Sequence, residues 1–249
     1  MDQPQLSILT VTYNAAPLLA TTFRSVSEQR NIRCEHVVVD GNSTDASVDL
    51  IETYAQQSTH PVRWISEPDK GLYDAMNKAL SMATGQYVLF INAGDFLHDP
   101  NTLSRIAALP EVDVYYGEAL RVDEHGRSLG YRLPRPPRRL HWRSLRFGMS
   151  VCHQSFIVRR SCAPSYNTNY RIAADIDWMI RCLKVCPNTL HTKEVISHFL
   201  VGGLSSQRRS KAWRERYRVL STHYGVANNL LCHLWMFIRY PFRLLAGQP

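Results

Sequence analysis

Apolar residues in the first hundred positions fall into short continuous runs, separated by stretches with helical spacing. The runs are "LSILTVTYN" (6–14), "EHVVVDGNSTD" (35–45), "VRWISEP" (62–68) and "QYVLFIN" (86–92). A continuous run flanked by turn residues reads as a strand buried on both faces, unlike the alternation of a half-exposed strand. Residues 16–29, 45–57 and 71–85 read as the helices between them. The last places Leu72, Met76, Ala79, Leu80 and Ala83 on one face, with Gly85 as its C-terminal stop. This β-α-β-α order predicts an α/β fold with a parallel sheet covered by helices.

The second half is less regular. Residues 111–131 alternate weakly and predict paired strands with a turn near His125-Gly126. "RLPRPPRRLHWRSLR" (132–146) holds six Arg and three Pro without an acid, and reads as a mobile surface loop. "CHQSFIVRR" (152–160) reads as a strand. "AADIDWMIRCLKV" (173–185) reads as a helix with Ile176, Met179, Ile180 and Leu183 inward. "HFLVGGLSS" (198–206) reads as strand then turn, followed by a basic helix over 206–224 and an apolar, aromatic tail.

Each early strand ends in polar residues: Tyr13-Asn14, Asp40-Gly41, Glu67-Pro68-Asp69, and Asn92 to Asp95. Ligands of open α/β sheets bind at these carboxyl ends. Alone, Asp40 is as consistent with an Asx turn or helix cap as with a ribose or base contact. Neither G-x-G-x-x-G nor G-x-x-x-x-G-K-[ST] occurs, so dinucleotide and P-loop sites are disfavoured. Asp40, Asp69 and Asp95 close three successive predicted strands and would share one rim. Clustered carboxylates repel, so a cation should join them; hard oxygen ligands favour Mg2+ or Mn2+ bridging phosphates.

Charge sharpens this picture. Residues 1–130 carry 9 Lys/Arg and 17 Asp/Glu, residues 131–200 carry 12 and 3, and residues 201–249 carry 8 and 1. An acidic first half joined to a basic second half suggests that the latter meets an anion: a nucleotide diphosphate, anionic lipid or nucleic acid. No nucleic-acid-binding motif is recognisable, so that partner is disfavoured. The six cysteines form no C-x-x-C pair, and a reduced, cytosolic chain is the simplest expectation. The start carries no signal-peptide pattern, and no apolar run of spanning length occurs.

Together, "SILTVTYN", "VVVDGNSTD", "SEPDKGLYDAMNKAL", "GQYVLFINAGD", "HQSFIVRR", "AADIDWMIR" and "GGLSS" resemble family 2 inverting glycosyltransferases of the GT-A fold. The likeness covers about residues 5–206 and is strongest to small bacterial exopolysaccharide enzymes of the colanic-acid type. It implies one Rossmann-like, mostly parallel sheet flanked by helices. The transferase domain would span 1–206, with a donor half at about 1–99 and an acceptor half at about 100–206. Residues 207–249 would form a basic, amphipathic helical extension.

The resemblance also implies roles. Asp175 would be the general base. Tyr13 and Asp40 would meet the nucleobase, with Asp69 near the ribose end. Asp95 would bind Mg2+ or Mn2+ on the diphosphate. His153 and Gln154 would face the donor sugar or diphosphate, and Gly202, Gly203 and Ser205 would form a loop over the site. Thr10, Asn77 and Asn92 are further donor-contact candidates. Relatives of this kind carry two or three acids where this chain has "NAGD", which implies either that Asn92, His98 or His198 helps hold the metal, or that transfer is metal-independent with the Arg-rich 132–146 loop replacing part of the charge.

The implied reaction moves a sugar from a UDP- or GDP-sugar to a glycan or lipid-linked acceptor. It would occur in the cytoplasm, peripherally on the inner face of an anionic membrane, where the tail would lie flat. Two other readings are a catalytically weak binding module, kept open by the lost acids, and a sugar nucleotidyltransferase. The latter wants a Gly-rich basic loop after the first strand, and "TVTYNAAPLL" has neither Gly nor Lys/Arg.

Overall fold

The computed structural model describes residues 3–202 and 209–245, with side chains of the last helix described as far as Trp235. The first half alternates β1 (Leu6–Thr12), α1 (Ala16–Ser27), β2 (Cys34–Asp40), α2 (Ser47–Gln57), β3 (Val62–Ser66), α3 (Leu72–Met82) and β4 (Tyr87–Phe90). These strands lie parallel in the order β3-β2-β1-β4, as the apolar runs predict. In β1 and β2 every residue is buried. Successive side chains point to opposite faces. Accordingly Leu9, Val37 and Phe90 pack with α3 and with a later helix over Ala174–Val185, while Ile8 and Leu89 join a separate core on the other face.

Beyond β4 come β5 (Phe96–Leu97), α4 (Thr102–Ala107), β6 (Val114–Val122), β7 (Ser128–Tyr131), β8 (Phe156–Arg159), α5 (Ala174–Val185) and β9 (Thr189–Leu200). They extend the same sheet as β4-β8-β6-β9-β5, with β7 on β6. The β4–β8, β8–β6, β6–β7 and β9–β5 pairs are antiparallel, and β6–β9 is parallel. The pattern had shown neither α4 nor the first nine residues of β9. Their polar residues obscure the period.

Three local expectations change. Gly85 does not end α3 in a left-handed turn, because Ala83 already caps that helix in an extended conformation. Its lack of a side chain serves close approach instead: a Cβ there would lie 2.6 Å from Ser7 N and 2.8 Å from Leu6 C. The 132–146 segment is pinned rather than loose. Leu140 and Leu145 are buried, Tyr116 donates to Pro137 O, and residues Trp142–Phe147 form a 3-10 turn. The cysteines are not all reduced: Cys162 and Cys186 are joined, with their Cα atoms 5.9 Å apart, and tie the segment after β8 to the end of α5.

The basic segment forms α6 (Arg209–Tyr224), followed by α7 (Val226–Leu245). Helix α6 is part of the main core rather than an appendage, since Val219 and Leu220 are buried within it. Buried Glu215 accepts from the backbone N–H groups of Arg171, Ile172 and Ala173 at 2.9, 2.7 and 3.2 Å. Asp177 on α5 binds His223 at 2.8 Å and Arg181 at 2.8 Å. Among the described residues, no helix is long and apolar enough to cross a membrane.

Candidate active site

The parallel strands deliver their polar ends to one rim. Thr12 pairs with Asp40, and Asp40 pairs with Ser66. Asp40 is fully buried, and its carboxylate is used within the protein. Oδ2 accepts from Ser43 N at 2.8 Å and Ser66 Oγ at 2.7 Å, while Ser43 Oγ donates to Oδ1. It therefore holds the turn after β2 and ties β2 to β3.

The neighbouring open shelf is built by other residues. Asp69 Oδ1 accepts from Gly71 N at 2.7 Å, and Asp69 Oδ2 lies over Gly41. A Cβ on Gly41 would collide with that oxygen and stand 3.3 Å from Tyr13 Cδ2. The Tyr13 side is open, with that residue 62% exposed. An aromatic face, a bare backbone and a carboxylate oxygen thus meet at the end of β1 and β2. Tyr13 and Asp69 were expected here. Gly41 was not, although its place directly after the strand-ending Asp was the available signal.

The second cluster surrounds the turn after β4. Thr22 Oγ1 donates to Asp95 O at 2.8 Å and accepts from Gly94 N at 3.0 Å, so α1 fixes the turn from below. Gly94 has φ +91 and packs so tightly that a Cβ would lie 2.7 Å from Leu200 Cδ2. Gln154 Nε2 donates to Asp95 Oδ2 at 2.6 Å, and Leu200 N donates to Oδ1 at 2.9 Å. No Lys or Arg ion pair reaches Asp95 among the described residues. Burial pushes its carboxyl up to about 7, and the two N–H donors only partly offset this. In the same turn Asn92 Oδ1 is buried without a donor among the described residues.

The third element is the start of α5. Asp175 Oδ1 accepts from Ile176 N at 2.8 Å. Burial raises its carboxyl above the ordinary range, opposed by that N–H and by the charges of Arg216 and Arg132. Asp177 differs. Burial would raise it, but the His223 hydrogen bond and Arg181 outweigh burial and hold it below the usual range. One acid is spent on packing; the other is left without an ion pair among the described residues. Cys152 links this region to the Asp95 turn. Its thiol donates to Gln154 Oε1 at 3.0 Å, and burial lifts it to about 11 with Asp95 and Asp175 adding and Arg132 opposing. Asp95, Asp175 and Arg132 therefore act on one buried point.

Several candidates lie elsewhere. Thr10 is enclosed in the sheet, with its hydroxyl 2.6 Å from Ile91 O and 2.8 Å from His36 Nε2. Asn77 clamps the backbone of Tyr166, accepting from its N at 2.6 Å and donating to its O at 3.1 Å. His153 sits in a 3-10 turn before β8, not on the strand. Its Nε2 meets Tyr166 Oη at 2.8 Å, its ring packs on Phe90 and Trp178, and burial lowers it to about 4. It is a neutral core histidine. His98 and His198 bond each other at 2.9 Å. Gly203 and Ser205 lie outside the described residues; Gly202, at φ +101, is the last described residue before them. Arg132 and Glu215 were not singled out by spacing, since each lies within a longer basic stretch.

Comparison with known proteins agrees with this geometry. Residues 7–163 match the family described as "Glycosyl transferase family 2". A "PGL/p-HBAD biosynthesis glycosyltransferase" of Mycobacterium bovis is 32% identical over 237 residues, covering 91% of this chain and 88% of its own. The crystal structure of S. aureus TarS 1-349 in complex with UDP-GlcNAc superposes with TM-score 0.70 at 19% identity, covering 88% of this chain and 66% of that one. A longer TarS chain is matched over 39% of its length. The mannosyltransferase PcManGT from Pyrobaculum calidifontis, in complex with GDP-Man and Mn2+, gives TM-score 0.64 at 16% identity over 99% of this chain and 80% of that one. The structural likenesses carry the GT-A fold, and the sequence match carries the family. The family model spans more than half of the chain and the mycobacterial relative is matched over nearly its whole length, so the chain belongs to glycosyl transferase family 2.

Proposed function

We propose that this glycosyltransferase inverts the anomeric centre of a nucleoside-diphosphate sugar as it transfers the sugar to a glycan or lipid-linked acceptor, in the synthesis of a bacterial surface or exopolysaccharide glycan. The observation that carries this reading is Asp175: a carboxylate raised by burial, without an ion pair among the described residues, acting on the same buried point as Asp95. Asp175 accepts the proton of an acceptor hydroxyl while that oxygen bonds to the anomeric carbon. The bond from that carbon to the diphosphate oxygen breaks, and its electron pair leaves with the nucleoside diphosphate. Attack opposite the leaving group inverts the centre. General-base help of this kind contributes roughly 10²–10⁴-fold.

The shelf of Tyr13, Gly41 and Asp69 suits the nucleoside, with Gly41 allowing close approach. Asp95 and Asn92 fit a hard divalent cation: one offers a buried carboxylate without a counter-charge, the other an unpartnered amide oxygen. Bound there, Mg2+ or Mn2+ would supply Lewis-acid stabilisation to the diphosphate. UDP-GlcNAc on TarS and GDP-Man with Mn2+ on PcManGT support a nucleotide-sugar donor and a metal without choosing the base. In an assay with UDP- and GDP-sugars, one donor class should be consumed and EDTA should suppress transfer. A product retaining the donor's anomeric configuration by NMR would sink the inverting assignment.

The helical hairpin supports a place at the cytoplasmic face of the membrane. Helix α6 exposes Lys211, Arg214, Arg216 and Arg218 beside Trp213, and α7 exposes Leu230, Leu231, Leu234 and Trp235. Basic and apolar groups together suit anionic lipid. The chain should co-sediment with phosphatidylglycerol vesicles, and Leu231→Glu with Leu234→Glu should prevent it. Equal sedimentation of both proteins would refute the lipid contact.

A further inference from the structure

Six arginines crowd residues 132–146, and the fold treats one of them differently. Arg135 pairs with Glu118 at 2.9 Å and lies over the Tyr131 ring. Arg143 and Arg146 lie over Trp142 and Phe147. These three, with Arg138 and Arg139, are exposed; Arg132 is not. Its backbone N–H donates to Ala119 O at 2.8 Å, which anchors it directly after β7. Its Nη2 donates to Met149 O at 2.9 Å. Its Nη1 is buried and meets no acceptor among the described residues.

A guanidinium remains charged and has no acceptor atom, so it cannot relay a proton. Its planar fork matches phosphate oxygens, and a buried N–H without an acceptor favours a ligand that supplies one. The position fits such a ligand. Met149, which holds Nη2, lies in the segment that continues through Cys152 to Gln154, the residue bound to Asp95. The charge of Arg132 also reaches both Asp175 and Cys152, the thiol that donates to Gln154 beside the Asp95 turn.

We infer that Arg132 is the cationic residue that takes the charge of the departing diphosphate, using its free Nη1 while Met149 O holds its orientation. This rests on the transferase reading above. As the anomeric C–O bond breaks, its electron pair goes to the terminal phosphate oxygen, which Arg132 stabilises by hydrogen bond and charge. The acceptor proton goes to Asp175, and Arg132 exchanges none.

The test is calorimetric titration of the full chain with UDP and GDP, and with uridine and guanosine, which lack the phosphates. Arg132→Met keeps length and packing without the charge. It should weaken binding of the diphosphate that the wild type prefers by about 10- to 100-fold, the range for a charge-assisted hydrogen bond. The matching nucleoside should bind within about twofold of wild type, which also reports an intact fold. Arg132→Lys should recover part of the loss, as a point charge without the fork. Unchanged diphosphate affinity in Arg132→Met would overturn the inference, even if turnover fell, because Arg132 would then act only through Asp175. A wild-type chain that bound neither diphosphate would sink the transferase reading first, and this inference with it.

Discussion

Asp175→Asn should lower sugar transfer by roughly 10²–10⁴-fold, the usual contribution of a positioned general base, while leaving nucleoside-diphosphate affinity unchanged. Asparagine keeps the shape and an oxygen for the Ile176 N–H, but it cannot take a proton at neutral pH. The variant should also melt no lower than the wild type at pH 8. Burial raises the folded-state pKa of Asp175, so its ionised form is disfavoured by folding. A group of this sign favours the folded state at low pH and loses that contribution as pH rises through its folded pKa. At pH 8 its removal costs no stability. The same shift sets the pH profile: wild-type turnover should fall, on acidification, through an apparent pKa above the ordinary carboxylate range. Transfer by Asp175→Asn within about threefold of wild type would show that another group is the base.

Glu215→Ala should destabilise the protein by about 2–5 kcal/mol in urea unfolding. Two of its three N–H donors, on Ile172 and Ala173, belong to buried residues, and an unsatisfied buried group costs about 1–3 kcal/mol. The loss should also reach the chemistry, because residues 171–173 lead directly into Asp175. Glu215→Gln retains a carbonyl oxygen and should recover about half the stability, since charge-assisted bonds are roughly twice as strong. An Ala variant with wild-type midpoint and turnover would mean that α6 does not hold the base in place.

This bracing bears on the C-terminal segment as a whole. Spacing predicts a basic, membrane-facing extension, and its outer face exposes basic and apolar side chains. Its inner face carries Glu215 and His223, which hold the backbone before Asp175 and the side chain of Asp177. The exposed basic and apolar face of the hairpin is therefore joined mechanically to the backbone that leads into Asp175.

Continuous apolar runs were sufficient for β1, β2 and β4, because a strand buried on both faces leaves no choice of residue at either face, whereas β3 lies at the sheet edge and is only partly buried. The polar breaks after them were sufficient for the rim, because a parallel sheet brings its carboxyl ends to one side. Motif order was enough to raise Asp175 and Asp95. Packing decided the rest. Asp40 is used up by Ser43 and Ser66, and His153 and Asn77 are held by Tyr166; in sequence, each partner is distant or unremarkable. Asp175 and Asp177 look alike in spacing two residues apart, and the arrival of His223, 46 residues later, pairs Asp177 and leaves Asp175 without an ion pair among the described residues. Arg132 could not be told from its five neighbours along the chain. A hydrogen bond to Met149 O turns it inward, and that contact exists only once the sheet has closed.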